Sequence, residues 1–142
     1  MKFTLEKAAG VRIHAHEADS VTLVLPEGLE FPEGGEPVTD EPGLCRVSRN
    51  LVISSGAIQH DEAPASYEAL EAQHLEFALT FNPEIILLGT GNTLRFPSPP
   101  LMSLPARHGV GFEVMDTAAA CRTFNILAGE NRPVVAILLL GE

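Results

Sequence analysis

Three stretches in the second half of the chain are apolar without alternation. Glu84–Leu88 (EIILL) closes with Gly89-Thr90-Gly91, Gly111–Met115 (GFEVM) is entered through Gly109, and Val134–Leu140 (VVAILLL) follows Pro133. Unbroken apolar character over strand length predicts strands covered on both faces, as in a parallel sheet under helices. The segments between them predict helices. Pro99–His108 opens with two prolines, which suit a first helical turn because an N–H there has no partner within the helix. Pro105 falls inside it, so this helix either starts late, capped by Ser103, or kinks. Thr117–Ala128 is preceded by Asp116 as N-cap and followed by Gly129 as stop, and Pro133 bars continuation. The order strand, helix, strand, helix, strand predicts right-handed crossovers and a small open sheet with helices packed on it.

Upstream, Leu70, His74, Phe77, Ala78 and Phe81 fall on one helical face and predict a helix over Ser66–Thr80, capped by Ser66 and ended by Phe81-Asn82-Pro83. Val11–His16 and Val21–Leu25 are short alternating or apolar runs. Leu51–Ser54 and Ala57–His60 read as hairpin arms around Ser55-Gly56. Pro26–Pro42, rich in proline, glycine and acids, reads as a flexible surface loop.

With 142 residues the chain is expected to form a single α/β domain over residues 1–142, large enough to need no metal or disulfide staple. Nineteen acids against nine bases give a net charge of −10, which disfavours nucleic acid as a partner because phosphate binding requires a basic face. The acidity is uneven. Residues 1–42 hold nine acids and three bases, whereas residues 81–142 hold five acids and four bases. No apolar run approaches the roughly 20 residues of a membrane-spanning helix, so no membrane insertion is expected. The first residues lack the apolar stretch of a secretory leader. Cys45 and Cys121 form no CxxC pair and read as free thiols, which suits the cytoplasm.

The strings Pro83–Gly91 (PEIILLGTG), Arg95-Phe96, Gly109–Thr117 (GVGFEVMDT) and Ala120–Leu127 (ACRTFNIL) resemble a small α/β family. Its eukaryotic members are the mitochondrial respiratory complex I assembly factor 3 proteins, and its bacterial and archaeal members are mostly described as a domain of unknown function. The resemblance runs in order from about Val11 to Leu140 and is specific over residues 83–127. The Pro/Glu/Gly-rich insertion at 26–42 and Pro105 depart from it. It implies a three-layer domain with a mixed, mostly parallel sheet, helices on it and a β-hairpin extension. For the mitochondrial members it implies a non-catalytic, chaperone-like role in assembling a membrane enzyme.

The residues themselves outline a candidate cleft. Gly89-Thr90-Gly91 leaves a strand at the edge where open α/β sheets bind ligands, and glycine permits close approach to the backbone. The dinucleotide fingerprint is absent, since its third glycine would stand at Leu94, and no Lys-Ser/Thr completes a phosphate loop. Asp116-Thr117 leaves the next strand on the same edge if the two are parallel. Arg95 and Arg122 are charge partners for that cleft, and Asn125 shares a helix face with Arg122. The structural alternatives are a tight strand exit at the glycines and a helix cap at Asp116. Cys121 reads as a buried thiol, and His108 as a complement to a helix C-terminus. His14-Ala15-His16 with His60 and Asp61 makes zinc conceivable, but no third ligand has motif spacing, so no metal or cofactor is expected. No Ser-His-Asp order, HExxH or paired carboxylates appear. The leading expectation is a non-catalytic interaction or assembly module with a protein partner. The alternative is a small-anion or metabolite-binding domain or enzyme using the Gly-Thr-Gly cleft.

Overall fold

The computed structural model describes residues 10–30, 32–38 and 41–142, which build two sheets and three helices. The first sheet is antiparallel throughout. Its strands β1 (Arg12–Glu17), β2 (Ser20–Val24), β3 (Glu36–Pro37) and β4 (Leu44–Val47) lie in the order β1-β2-β4-β3. The second sheet contains β5 (Leu51–Ser54), β6 (Ala57–Gln59), β7 (Ile85–Gly89), β8 (Gly111–Met115) and β9 (Val134–Leu138) in the order β6-β5-β9-β7-β8. The helices are α1 (Ala72–Leu79), α2 (Pro99–Arg107) and α3 (Thr117–Gly129).

The three unbroken apolar runs are β7, β8 and β9. They pair in parallel with β7 in the middle, Leu87 standing opposite Glu113 on one side and Ala136 on the other. Parallel pairing stops there, which corrects the expectation of a mostly parallel sheet. β5 joins β9 antiparallel, with Val52 opposite Ile137, and β6 returns from β5 antiparallel. Connection length accounts for β6: parallel neighbours need a crossover of a dozen or more residues, which the α2 and α3 segments supply, whereas Ser55-Gly56 is a hairpin turn that returns β6 antiparallel.

Alternation assigns the two faces of the second sheet. Leu51, Ile53, Leu87, Ala136 and Leu138 pack with Phe124 and Ala120 of α3 and with Leu23 and Val47 of the first sheet. Val52, Ile86, Leu88, Val135 and Ile137 pack with Leu75 and Ala78 of α1 and Leu104 of α2. All five residues of β9 are buried, so its run carries no polar position.

Helix boundaries show where local signals mislead. Ser66 does cap a turn, its hydroxyl accepting the Ala69 N–H at 3.2 Å, but α1 starts only at Ala72. There the Glu71 N–H donates to Nδ1 of His74 at 2.9 Å, so His74 serves the helix start from a half-buried position. α2 starts at Pro99 after Ser98, and Ser103 is no cap, since its hydroxyl donates to the Pro100 carbonyl at 3.2 Å. Pro105 sits inside α2 and gives the Leu101 carbonyl no N–H, which the fold tolerates two residues before the helix ends. α3 includes Gly129, and the chain leaves it at Asn131, whose φ of 62° takes the left-handed conformation expected of a stop. Of the loop expected at 26–42, Phe31, Thr39 and Asp40 lie outside the described residues, and Glu36 and Pro37 pair with Arg46 and Cys45 as β3. Among the described residues, no helix is long and apolar enough to cross a membrane.

Candidate functional site

Gly89 ends β7 where α3 begins. A Cβ on it would stand 2.9 Å from both Cα and Oγ1 of Thr117, so any side chain would push the helix off the strand. Thr117 is buried and clamps this junction. Its hydroxyl donates to the Leu139 carbonyl at 2.7 Å and accepts the Gly91 N–H at 2.8 Å, while its own N–H donates to the Gly91 carbonyl at 2.9 Å. Thr90, also buried, donates its hydroxyl to the Thr93 carbonyl at 2.7 Å and accepts the Arg95 N–H at 3.2 Å. Asp116 caps α3, Oδ1 accepting the Ala119 N–H at 2.8 Å.

The turn wraps around Glu142. Gly91 has a φ of +97°, and a Cβ on it would meet the Glu142 carbonyl oxygen at 2.7 Å. The Asn92 N–H donates to that same oxygen. The Glu142 carboxylate accepts the Tyr67 N–H on both oxygens, at 3.0 and 3.1 Å, and Nη2 of Arg95 at 3.1 Å. Arg95 lies 4.5 Å over the Tyr67 ring, and its Nη1 pairs with Glu68 at 3.1 Å. The hydrogen-bonding groups of the Gly-Thr-Gly exit and the charge of Arg95 are therefore engaged by the chain itself.

Arg122 and Asn125 lie elsewhere. The Asn125 amide brackets Ile13 of β1, accepting its N–H at 2.9 Å and donating to its carbonyl at 2.8 Å. Arg122 is exposed and, with Asn125, lines a cavity of about 380 Å³ between β1 and α3 that His14, His16 and Cys121 also line. The eight residues singled out in the sequence thus divide. Gly89, Thr90, Gly91, Arg95, Asp116 and Thr117 lock a strand exit or a helix start, and Arg122 and Asn125 face β1. Tyr67 and Glu142 had no local signature, because each matters only through partners remote in sequence.

A family model described as a protein of unknown function (DUF498/DUF598) matches residues 7–139. The chain belongs to the DUF498/DUF598 family. It is 29% identical over 89 residues to the "13 kDa major membrane protein" of Francisella tularensis subsp. holarctica (strain LVS), covering 63% of this chain and 72% of that one. It is 36% identical over 76 residues to "NADH dehydrogenase [ubiquinone] 1 alpha subcomplex assembly factor 3" of Xenopus tropicalis, covering 52% of this chain and 42% of that one. The matched segment therefore spans less than half of that assembly factor. A Bordetella parapertussis crystal structure superposes with a TM-score of 0.72 at 26% identity, covering 93% of this chain and 97% of that one.

In this DUF498/DUF598 chain His60 lies apart from His14 and His16, the residues for which a zinc site was conceivable. The β1–β2 register shifts between Ile13 and Ala15, so His14 is the extra residue of a bulge, and His14 and His16 both line the β1–α3 cavity. His60 lines a different cavity with Asp61, its Nδ1 3.0 Å from the Asn50 carbonyl. Among the described residues no group of three His, Cys, Asp or Glu could hold a metal ion. His108 closes α2, its Nδ1 3.1 Å from the Leu104 carbonyl.

Burial pushes the Cys121 thiol from an ordinary 9.0 up to about 12, against a smaller opposing pull from Arg122. The thiol is therefore protonated at neutral pH and a poor nucleophile. Because the folded value is raised, its contribution to stability is complete below pH 9 and is lost as pH rises towards 12. Iodoacetamide at pH 8 is expected to leave Cys121 unmodified in the folded protein and to alkylate it after unfolding, as read by intact mass and peptide mapping. Rapid alkylation of the native thiol would refute the assignment.

Proposed function

We propose that this protein is a non-catalytic protein-interaction or assembly module acting in the cytoplasm as one α/β domain, whose partner adds an extended segment to the open edge of β8. The observation that carries this reading is the contrast between the sheet edges. The two sheets of the described residues have four edge strands. β1 carries the His14 bulge, β3 has two residues and a proline, and β6 has three residues. Bulges, shortness and proline are the usual guards against unwanted pairing. β8 has five regular residues with no lysine, proline or bulge, and Glu113 as its one charge.

The ladder also fixes which β8 groups are open. The Gly111 N–H donates to the Glu84 carbonyl and the Met115 carbonyl accepts the Thr90 N–H, so odd-numbered residues bond inward. By alternation the N–H and C=O groups of Phe112 and Val114 point away from the sheet. Strand addition of this kind draws affinity from the backbone and specificity from alternate side chains, here the half-buried Phe112 and Val114. The match to an assembly factor supports the same reading. The test is whether the complex formed at native expression depends on those outward groups. Val114→Pro removes one outward N–H where proline is tolerated on an edge strand, and it is expected to abolish the complex while the chain stays folded.

A further inference from the structure

We infer that the cavity between β1 and α3 binds a small oxyanion, carboxylate or phosphate, through Arg122 with His14 and His16. This site is distinct from the β8 edge and from the strand exit closed by Glu142. Its walls are held in register, because both ends of the Asn125 amide are bonded to Ile13. The bulge at His14 shapes the β1 side. Two imidazoles come from the strand and one guanidinium from the helix, and not one of the eight lining residues is acidic in a chain with nineteen acids.

Arg122 makes no hydrogen bond or ion pair among the described residues, unlike Arg95, which holds two carboxylates. A guanidinium presents a planar fork that matches carboxylate and phosphate oxygens. Nε2 of His16 is shielded from solvent and has no hydrogen-bond partner among the described residues, so it meets an anion once the ring turns toward the cavity that His16 lines. A volume of about 380 Å³ lies at the small end of ligand cavities, which run from about 300 to 1,000 Å³. It suits a small anion, whereas the net charge of −10 opposes a polyanion.

The experiment is a ¹⁵N–¹H titration of the whole protein with inorganic phosphate and, separately, with succinate, at constant ionic strength held with sodium chloride. Saturable shifts confined to residues 13–16 and 118–125 are expected with at least one anion, and the stronger response identifies the ligand class. Arg122→Gln is expected to weaken that response about tenfold or more, a loss of the size that follows removal of a charge-assisted bidentate contact. Arg107→Gln, exposed on α2, is expected to leave it unchanged. Absence of saturable shifts in those segments with either anion would overturn the inference, as would shifts that Arg122→Gln leaves intact in a variant with the wild-type spectrum elsewhere.

Discussion

Thr117→Val is expected to lower the free energy of unfolding by about 2–6 kcal/mol, because it strands two buried backbone groups at about 1–3 kcal/mol each. The Thr117 hydroxyl is the hydrogen-bond partner of the Gly91 N–H and donates to the Leu139 carbonyl, and the residue is buried. Valine fills the same volume, so lost packing is not the cause. Thr117→Ser keeps the hydroxyl and is expected to retain most of the stability. Urea unfolding with an unchanged m-value measures both. A larger loss for Thr117→Ser than for Thr117→Val would show that the methyl group, not the hydroxyl, secures the strand exit.

Phe124→Ala is expected to cost about 3–5 kcal/mol, the range for truncating a fully buried aromatic side chain. Phe124 is fully buried on α3, in the cluster that contains Leu23 and Val47 of the first sheet and Leu87 and Ala136 of the second. Its removal leaves a cavity where the two sheets and the helix meet, and neither sheet can close it alone. Phe124→Leu retains most of the apolar area and is expected to lose much less. A thermal or denaturant midpoint for Phe124→Ala close to wild type would mean that α3 is not the element joining the sheets.

The parts of this fold that were legible in the sequence are those whose information is local. Continuous burial makes β7 and β9 unbroken apolar runs, and Ser55-Gly56 marks the β5–β6 hairpin. Asp116 announces α3 because its cap bond spans three residues. The α1 start was not legible, because Ser66 carries a cap signal that is satisfied in an isolated turn, which leads to the Tyr67 N–H that binds Glu142. The antiparallel addition of β5 to β9 was also hidden, since Val52 and Ile137 carry no mark of their pairing.

The candidate site was legible in its residues and not in its grouping. Gly89-Thr90-Gly91 invites a ligand reading because glycine admits close approach, and a close approach does occur. What approaches Gly91 is Glu142, and what approaches Gly89 is Thr117. Arg122 and Asn125 follow Asp116 by only about two or three helical turns, yet Asn125 bonds to Ile13, 112 residues away. Helical spacing says which residues share a face, and only tertiary packing says what that face meets.

The most direct test of the interaction reading is native mass measurement on the chain isolated at its natural expression level, with Val114→Pro beside it. The reading predicts a stoichiometric complex with a different protein for the wild type, and a free but folded chain for Val114→Pro, its thermal midpoint close to wild type. A wild-type chain that runs alone or only with copies of itself would contradict it, as would a hetero-complex that Val114→Pro leaves at the same stoichiometry.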